Sequence, residues 1–225
     1  YFTDTQIESL QHLCSNITFL DSSPDELLYD SVILNFELGI RQSLDYLRSL
    51  GHTQIGYIGP KRLIDETKRM TPEPRRRSFE HYMREASLYH PDFVVECPMR
   101  DRSAVETELT LRMKNFYLDE HPTAFVTVNE ETAIGTIHAL HGLGFHIPND
   151  ISIVSFNDTV MSSVVEPALT SISPHLDYMA ATAVQLVRQR ASSPLHQPER
   201  HFTQKIVIPP ALVLRESTAA PVQPL

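Results

Sequence analysis

Residues 122–174 constrain the fold more than any other stretch: PTAFVTVNEETAIGTIHALHGLGFHIPNDISIVSFNDTVMSSVVEPALTSISP. Two apolar runs, 124–128 and 151–156, each stop at an asparagine beside an acid. Between them lies a helical pattern closed by Gly142 and Gly144. A crossover of that length joins parallel strands, because a hairpin turn needs only a few residues. In open α/β sheets, ligands settle outside the carboxyl ends of the strands. Asn129 and Asn157 sit at those ends and are expected to face one ligand.

The same alternation runs through the rest of the chain. Ile7, Leu10 and Leu13 recur at helical spacing after a capping Asp4, and residues 16–21 (NITFLD) and 31–34 (SVIL) are strand-like. Residues 35–50 carry Leu38, Ile40, Leu44, Leu47 and Leu50 on one helical stripe, and Gly51 stands where a left-handed cap belongs. A compact strand follows at 54–59. Residues 61–74 lack an apolar period and are expected to form a long charged loop. Helices are expected at 75–89, 104–117 and 178–190, a strand at 93–97, and one broken strand at 205–208 with 211–214. Alternating β and α elements predict a doubly wound α/β fold with mainly parallel sheets.

Composition narrows the function. The chain has 225 residues and a formal net charge of −9, so it offers little basic surface for holding DNA by itself. Two distant cysteines, Cys14 and Cys97, suit reduced thiols in a cytoplasmic protein better than a disulfide framework or metal site. No apolar run reaches membrane-spanning length, and no signal peptide opens the chain, so the Asn16 sequon has no secretory context.

Catalytic and cofactor motifs are missing: no phosphate-binding Gly-rich loop, nucleophile elbow or His-Glu-x-x-His helix is present. His138 and His141 share a helix but lack further ligands for a metal, and Ser155 lies within a strand rather than on a tight turn. No cofactor, metal or catalytic residue is therefore expected. The run Arg75-Arg76-Arg77 opens a helix, where the dipole disfavours cations. It is either a solvated first turn or a guanidinium fork aimed at hydroxyls or a carboxylate. Asn129, Asn157, Asp158 and Asp21 could equally be caps and turn formers at strand ends.

Several blocks carry a family resemblance. LRSLGH at 47–52 followed by IGYIGP at 55–60, then PTAFVTVN at 122–129, AIG at 133–135, GFHIPNDISIVSFND at 144–158, PALTSI at 167–172 and PALVLRES at 210–217 resemble, in order, LacI/GalR-type transcriptional regulators. Within that family, the segment 65–82, the SFND ending and His175 look most like galactose or evolved-β-galactosidase operon repressors. The resemblance implies a sugar-sensing regulatory core with a periplasmic-binding-protein-like fold: two lobes, an effector held between them, and a dimer whose operator affinity changes on binding. The amino-terminal lobe would comprise 1–34 and 173–200, and the carboxy-terminal lobe 35–172 and 201–225. The amino-terminal lobe would be incomplete in this chain, and the helix-turn-helix that contacts operator DNA would lie outside it.

The resemblance also assigns roles. Asp21 would end a strand at the cleft, Arg75 would fork onto sugar hydroxyls, and Asn129 would hydrogen-bond the sugar. Asn157 stands where relatives usually carry Asp, which adds a donor and removes a charge. Ser78 replaces a common Gly. The chain has no Trp, leaving Phe145 or Tyr178 as candidate aromatic platforms. Two competing functions remain at this stage: a sugar-binding transport receptor of the same fold, and an enzyme on a doubly wound scaffold, which rests on fold analogy alone.

Overall fold

The structure, a computed structural model, describes residues 4–14, 16–64, 70–98, 101–116, 121–192 and 202–222. The chain divides into two compact units. Tyr1–Asn35, Ile64–Thr71 and Pro174–Pro210 form the first; Phe36–Leu63, Pro72–Ser173 and Ala211–Leu225 form the second.

The first unit is built on a three-stranded parallel sheet. Its central strand β2 (Asp30–Leu34) is flanked by β1 (Thr18–Leu20) and β10 (Lys205–Ile208), with Thr18 opposite Asp30 and Lys205 opposite Ser31. Helix α7 (Leu176–Ser192) packs on β1 and β2, burying Met179 and Leu186, and α1 (Asp4–Leu13) adds Ile7 to a cluster with Phe19 and Tyr29. The Arg190 guanidinium, in the last turn of α7, forks onto both carboxylate oxygens of buried Asp30, whose Oδ1 also accepts from Gln204 N (2.7 Å). One carboxylate thus ties the end of α7 and the entry to β10 to the start of β2.

That pairing corrects the expected division. Residues 205–208 are expected with 201–225 in the carboxy-terminal lobe, yet β10 completes the sheet of the first unit. The anticipated broken last strand is two strands in two sheets, because β11 (Ala211–Val213) pairs antiparallel with β9 (Thr170–Ser173) in the second unit. The Pro209-Pro210 break is where the chain passes from one sheet to the other, as two residues without N–H donors interrupt a ladder.

The second unit has a six-stranded sheet in the order β11-β9-β8-β7-β3-β6, with β3 (Ile55–Gly59), β6 (Val94–Glu96), β7 (Ala124–Thr127), β8 (Ser152–Phe156) and β9 all parallel. Side chains alternate between two cores, as the period of a strand dictates. Tyr57, Val126, Val154 and Phe156 meet Ile40, Leu44, Leu47, Phe79 and Met83 of α2 (Phe36–Ser49) and α3 (Pro74–Glu85). Ile58, Phe125 and Ile153 meet Val105, Leu109, Ile137 and Leu140 of α4 (Arg102–Met113) and α5 (Glu130–Gly142) on the opposite face. This is a doubly wound sheet. From β3 the chain moves to β6 on one side, then returns to β7 on the other, so the switch point lies at the carboxyl ends of β3 and β7.

Local boundaries shift by a few residues. The expected loop at 61–74 contains a two-stranded ribbon, β4 (Arg62–Ile64) and β5 (Met70–Pro72), while 65–69 lie outside the described residues. Helix α3 stops at Glu85, and Ser87 (φ 59°) takes the left-handed turn. A short helix α6 (Val160–Val164), without a periodic signal long enough to read, follows β8.

Candidate ligand site

Arg75 is placed by the start of α3. Glu73 caps the helix by accepting from Arg76 N (2.8 Å), and Pro74 opens it with the φ a first turn requires. The Arg75 side chain then turns inward and is only 6% exposed. Its Nε donates to Glu73 Oε1 (2.6 Å) and its Nη1 to the Val128 carbonyl (2.8 Å). The guanidinium lies 4.7 Å above the Phe36 ring and 5.7 Å from the Phe156 ring. Glu73, 1% exposed, also accepts from the Tyr57 hydroxyl (2.9 Å). Burial first, then the Glu73 charge, push the Tyr57 phenol well above its ordinary range, so it remains a donor. Buried ion pairs add little net stability but fix geometry. Here the fixed geometry is a fork over aromatic rings at the switch point.

Asn129 follows β7 and caps α5. Its Oδ1 accepts from Thr132 N (2.9 Å), which leaves its Nδ2 with no acceptor among the described residues. Glu130, next in the chain and buried, accepts at Oε1 from Thr159 N (2.7 Å) and Ser162 Oγ (3.1 Å). The loop after β8 is thereby tied to the amino end of α5.

Asn157 follows β8 at φ 90° and Asp158 comes next at φ 46°, two consecutive residues in the sparsely populated left-handed region. Asn157 N donates to Ile172 O (2.9 Å), and its half-buried side chain has no hydrogen-bond partner among the described residues. Asp158 Oδ1 lies 2.7 Å from Arg215 Nη2, an ion pair by distance whose N–H is not aligned as a hydrogen bond.

Three of the four expected residues therefore converge. Arg75 holds the carbonyl immediately before Asn129 and lies beside the ring immediately before Asn157. Asp21 belongs to the first unit: it follows β1 at φ 56°, is exposed, and donates its N–H to Val32 O (2.8 Å). Phe145 packs edge-on against His121 beside the α4–α5 core, and Tyr178 is exposed on α7 in the first unit. The rings of Phe36 and Phe156 lie beside the Arg75 guanidinium. Arg76 pairs with Glu80 and Glu96 instead of joining Arg75. His138 and His141 are exposed, and among the described residues no cluster of metal-ligating side chains occurs.

Sequence reasoning missed Glu73, Tyr57, Phe36 and Glu130. A Glu-Pro pair opening a helix was a legible cap signal for Glu73. Phe36 and Tyr57 had none, because their roles depend on which strands become neighbours.

The profile of the periplasmic binding protein-like domain matches residues 44–218, well over half of the chain. The chain belongs to that family. This periplasmic-binding-protein-like core is 30% identical to the HTH-type transcriptional regulator GalR of Streptococcus thermophilus, over 86% of the chain and 57% of that protein. It is also 30% identical to the HTH-type transcriptional regulator GanR of Bacillus subtilis (strain 168), over 96% of the chain and 64% of that protein. It thus spans about three fifths of the length of these relatives, both named as transcriptional regulators. A LacI family transcriptional regulator from Enterococcus faecium, solved with bound ribose, shares the fold: TM-score 0.76 and 23% identity over 97% of this chain and 75% of that one.

Proposed function

We propose that this chain is the effector-sensing core of a LacI/GalR-type transcription regulator, which binds a sugar through Arg75, Asn129 and Asn157. The observation that carries this is that the Arg75 guanidinium, over the Phe36 ring, holds the carbonyl before Asn129 and lies beside the ring before Asn157, at the carboxyl ends of neighbouring strands. Amides and guanidinium donors over an aromatic face match the hydroxyls and C–H face of a pyranose or furanose. Asp21 is a further contact implied by the resemblance. Effector binding shifts operator affinity in a homodimer, in the cytoplasm. Operator contact falls to a helix-turn-helix module of the kind in the relatives' names, since the chain's net charge of −9 disfavours phosphate binding. A coupling of about 1–3 kcal/mol would change operator occupancy roughly 5- to 150-fold. The relatives' description as regulators favours this over a transport receptor.

Calorimetric titration of a galactoside panel, ribose and sucrose tests the site. Arg75→Lys keeps the charge but loses the fork, and should weaken the best ligand at least about tenfold. Unchanged affinity in that variant would remove Arg75 from the pocket. Binding of none of the panel by a folded wild-type chain would sink the sugar reading itself.

A further inference from the structure

We infer that Glu73 is the specificity-determining and positioning residue of this site: it orients the Arg75 fork and cancels its charge, so that the site takes uncharged polyhydroxylated ligands and rejects anions. The inference rests on the ligand site proposed above and names the ligand's charge class.

Glu73 is almost fully buried, and its carboxylate gathers three donors from three places: Arg75 Nε (2.6 Å), the Tyr57 hydroxyl of β3 (2.9 Å) and Arg76 N at the start of α3 (2.8 Å). Helix start, sheet and guanidinium are thus fixed through one group. A guanidinium with no acidic partner would recruit phosphate or carboxylate as its bidentate acceptor. Here an acidic partner is built into the protein: Glu73 Oε1 accepts from Arg75 Nε, and the Val128 carbonyl accepts from Nη1. Among the described residues, two neighbouring cations are already paired, and Arg77 is exposed. Arg76 is paired with Glu80 and Glu96, Arg215 with Asp158, and buried Glu130 adds a further carboxylate at the amino end of α5. An anionic ligand at this edge would bring a charge into a charge-balanced, poorly solvated place, which is costly. A hydroxyl can accept from Arg75 or Asn157 and donate to an amide oxygen with no such cost.

The test uses inorganic phosphate, galactose and galacturonate, titrated by calorimetry and thermal shift against wild type, Glu73→Gln, Arg75→Gln and the double variant. Wild type should show no phosphate binding and should prefer galactose over galacturonate. Glu73→Gln should gain phosphate binding by at least about tenfold, and the gain should vanish in the double variant. A purely structural Glu73 would lower stability without creating anion affinity. The inference is overturned if wild type binds phosphate or galacturonate as tightly as Glu73→Gln does, or if the gain survives loss of Arg75. Failure of wild type to bind any sugar counts against the sugar reading, while the phosphate series still decides the role of Glu73. Should Glu73→Gln not fold, Glu73→Asp, which keeps the charge but draws it back, should weaken sugar binding without gaining phosphate; a gain would overturn the inference.

Discussion

Asn157 combines a backbone demand with a chemical one, and the two can be separated. At φ 90° a side chain is strained, and Asn tolerates the left-handed region better than most residues. Asn157→Gly should keep or raise stability, while Asn157→Ala should cost about 1 kcal/mol. If the amide contacts ligand, both should lose affinity alike. Chemical denaturation beside calorimetry reads the two effects, and full affinity in Asn157→Gly would dismiss the side chain from the site. Arg75 and Glu73 form a tighter unit. Removing Arg75 leaves a buried carboxylate held, among the described residues, by the Tyr57 and Arg76 donors alone, so Arg75→Ala should cost about 3–5 kcal/mol, with much of that recovered in the Glu73→Gln/Arg75→Gln double variant. A double variant as unstable as the sum of the singles would refute the coupling.

Elements, rather than single residues, bring these groups together, and at this level the sequence was readable only in part. The strand–helix–strand at 124–156 is legible because apolar runs, paired glycines and asparagines all agree. The entry of β10 into the other sheet is not legible, since KIVI and ALV are equally strand-like and nothing local says which partner each takes. Gly59 shows how partner choice shapes the site. A Cβ there would stand 2.9 Å from Val128 Cβ and 3.1 Å from the Tyr57 hydroxyl, between the two residues that hold Arg75 and Glu73. Gly59→Ala should cost about 1–3 kcal/mol by overpacking and should also weaken ligand binding. Lost stability with untouched affinity would uncouple β3 from the site.

A second element-level device lies at the opposite ends of these strands. Buried His52 places Nε2 2.8 Å from Ala219 O and Nδ1 2.9 Å from Thr123 Oγ1, so the neutral ring joins the carboxy-terminal segment to the sheet. Burial lowers its pKa below 6.5, against the opposing Ala219 hydrogen bond. The unfolded chain then takes up the proton first. The contribution is complete above pH 6.5 and is lost as pH falls from there toward the lowered folded value. Thermal unfolding of wild type should therefore decline over that window more steeply than that of His52→Gln; parallel profiles would disprove the assignment.

At the scale of the whole molecule, the two units have unequal cores, and this sets where the chain opens first. The second unit sandwiches its sheet between two buried clusters, and every residue of β7 is buried. The first unit has three parallel strands, with β1 at one side of its sheet and a small cluster of Ile7, Phe19 and Tyr29 beside it. Leu13, Leu27 and Phe202 of the same unit are largely exposed. Local opening follows buried contact, so amides of β1 should exchange at least about 100-fold faster than those of β7, a gap of roughly 2.7 kcal/mol. A sugar held by Arg75, Asn129 and Asn157 should then slow exchange at the carboxyl ends of β7 and β8 in proportion to occupancy, by the mass-action stabilisation of a ligand that binds only the folded state. Hydrogen exchange read by mass spectrometry, with and without ligand, follows both. Equal protection of β1 and β7 would contradict the unequal cores, and unaltered exchange at β7 and β8 under saturating ligand would move the binding site elsewhere.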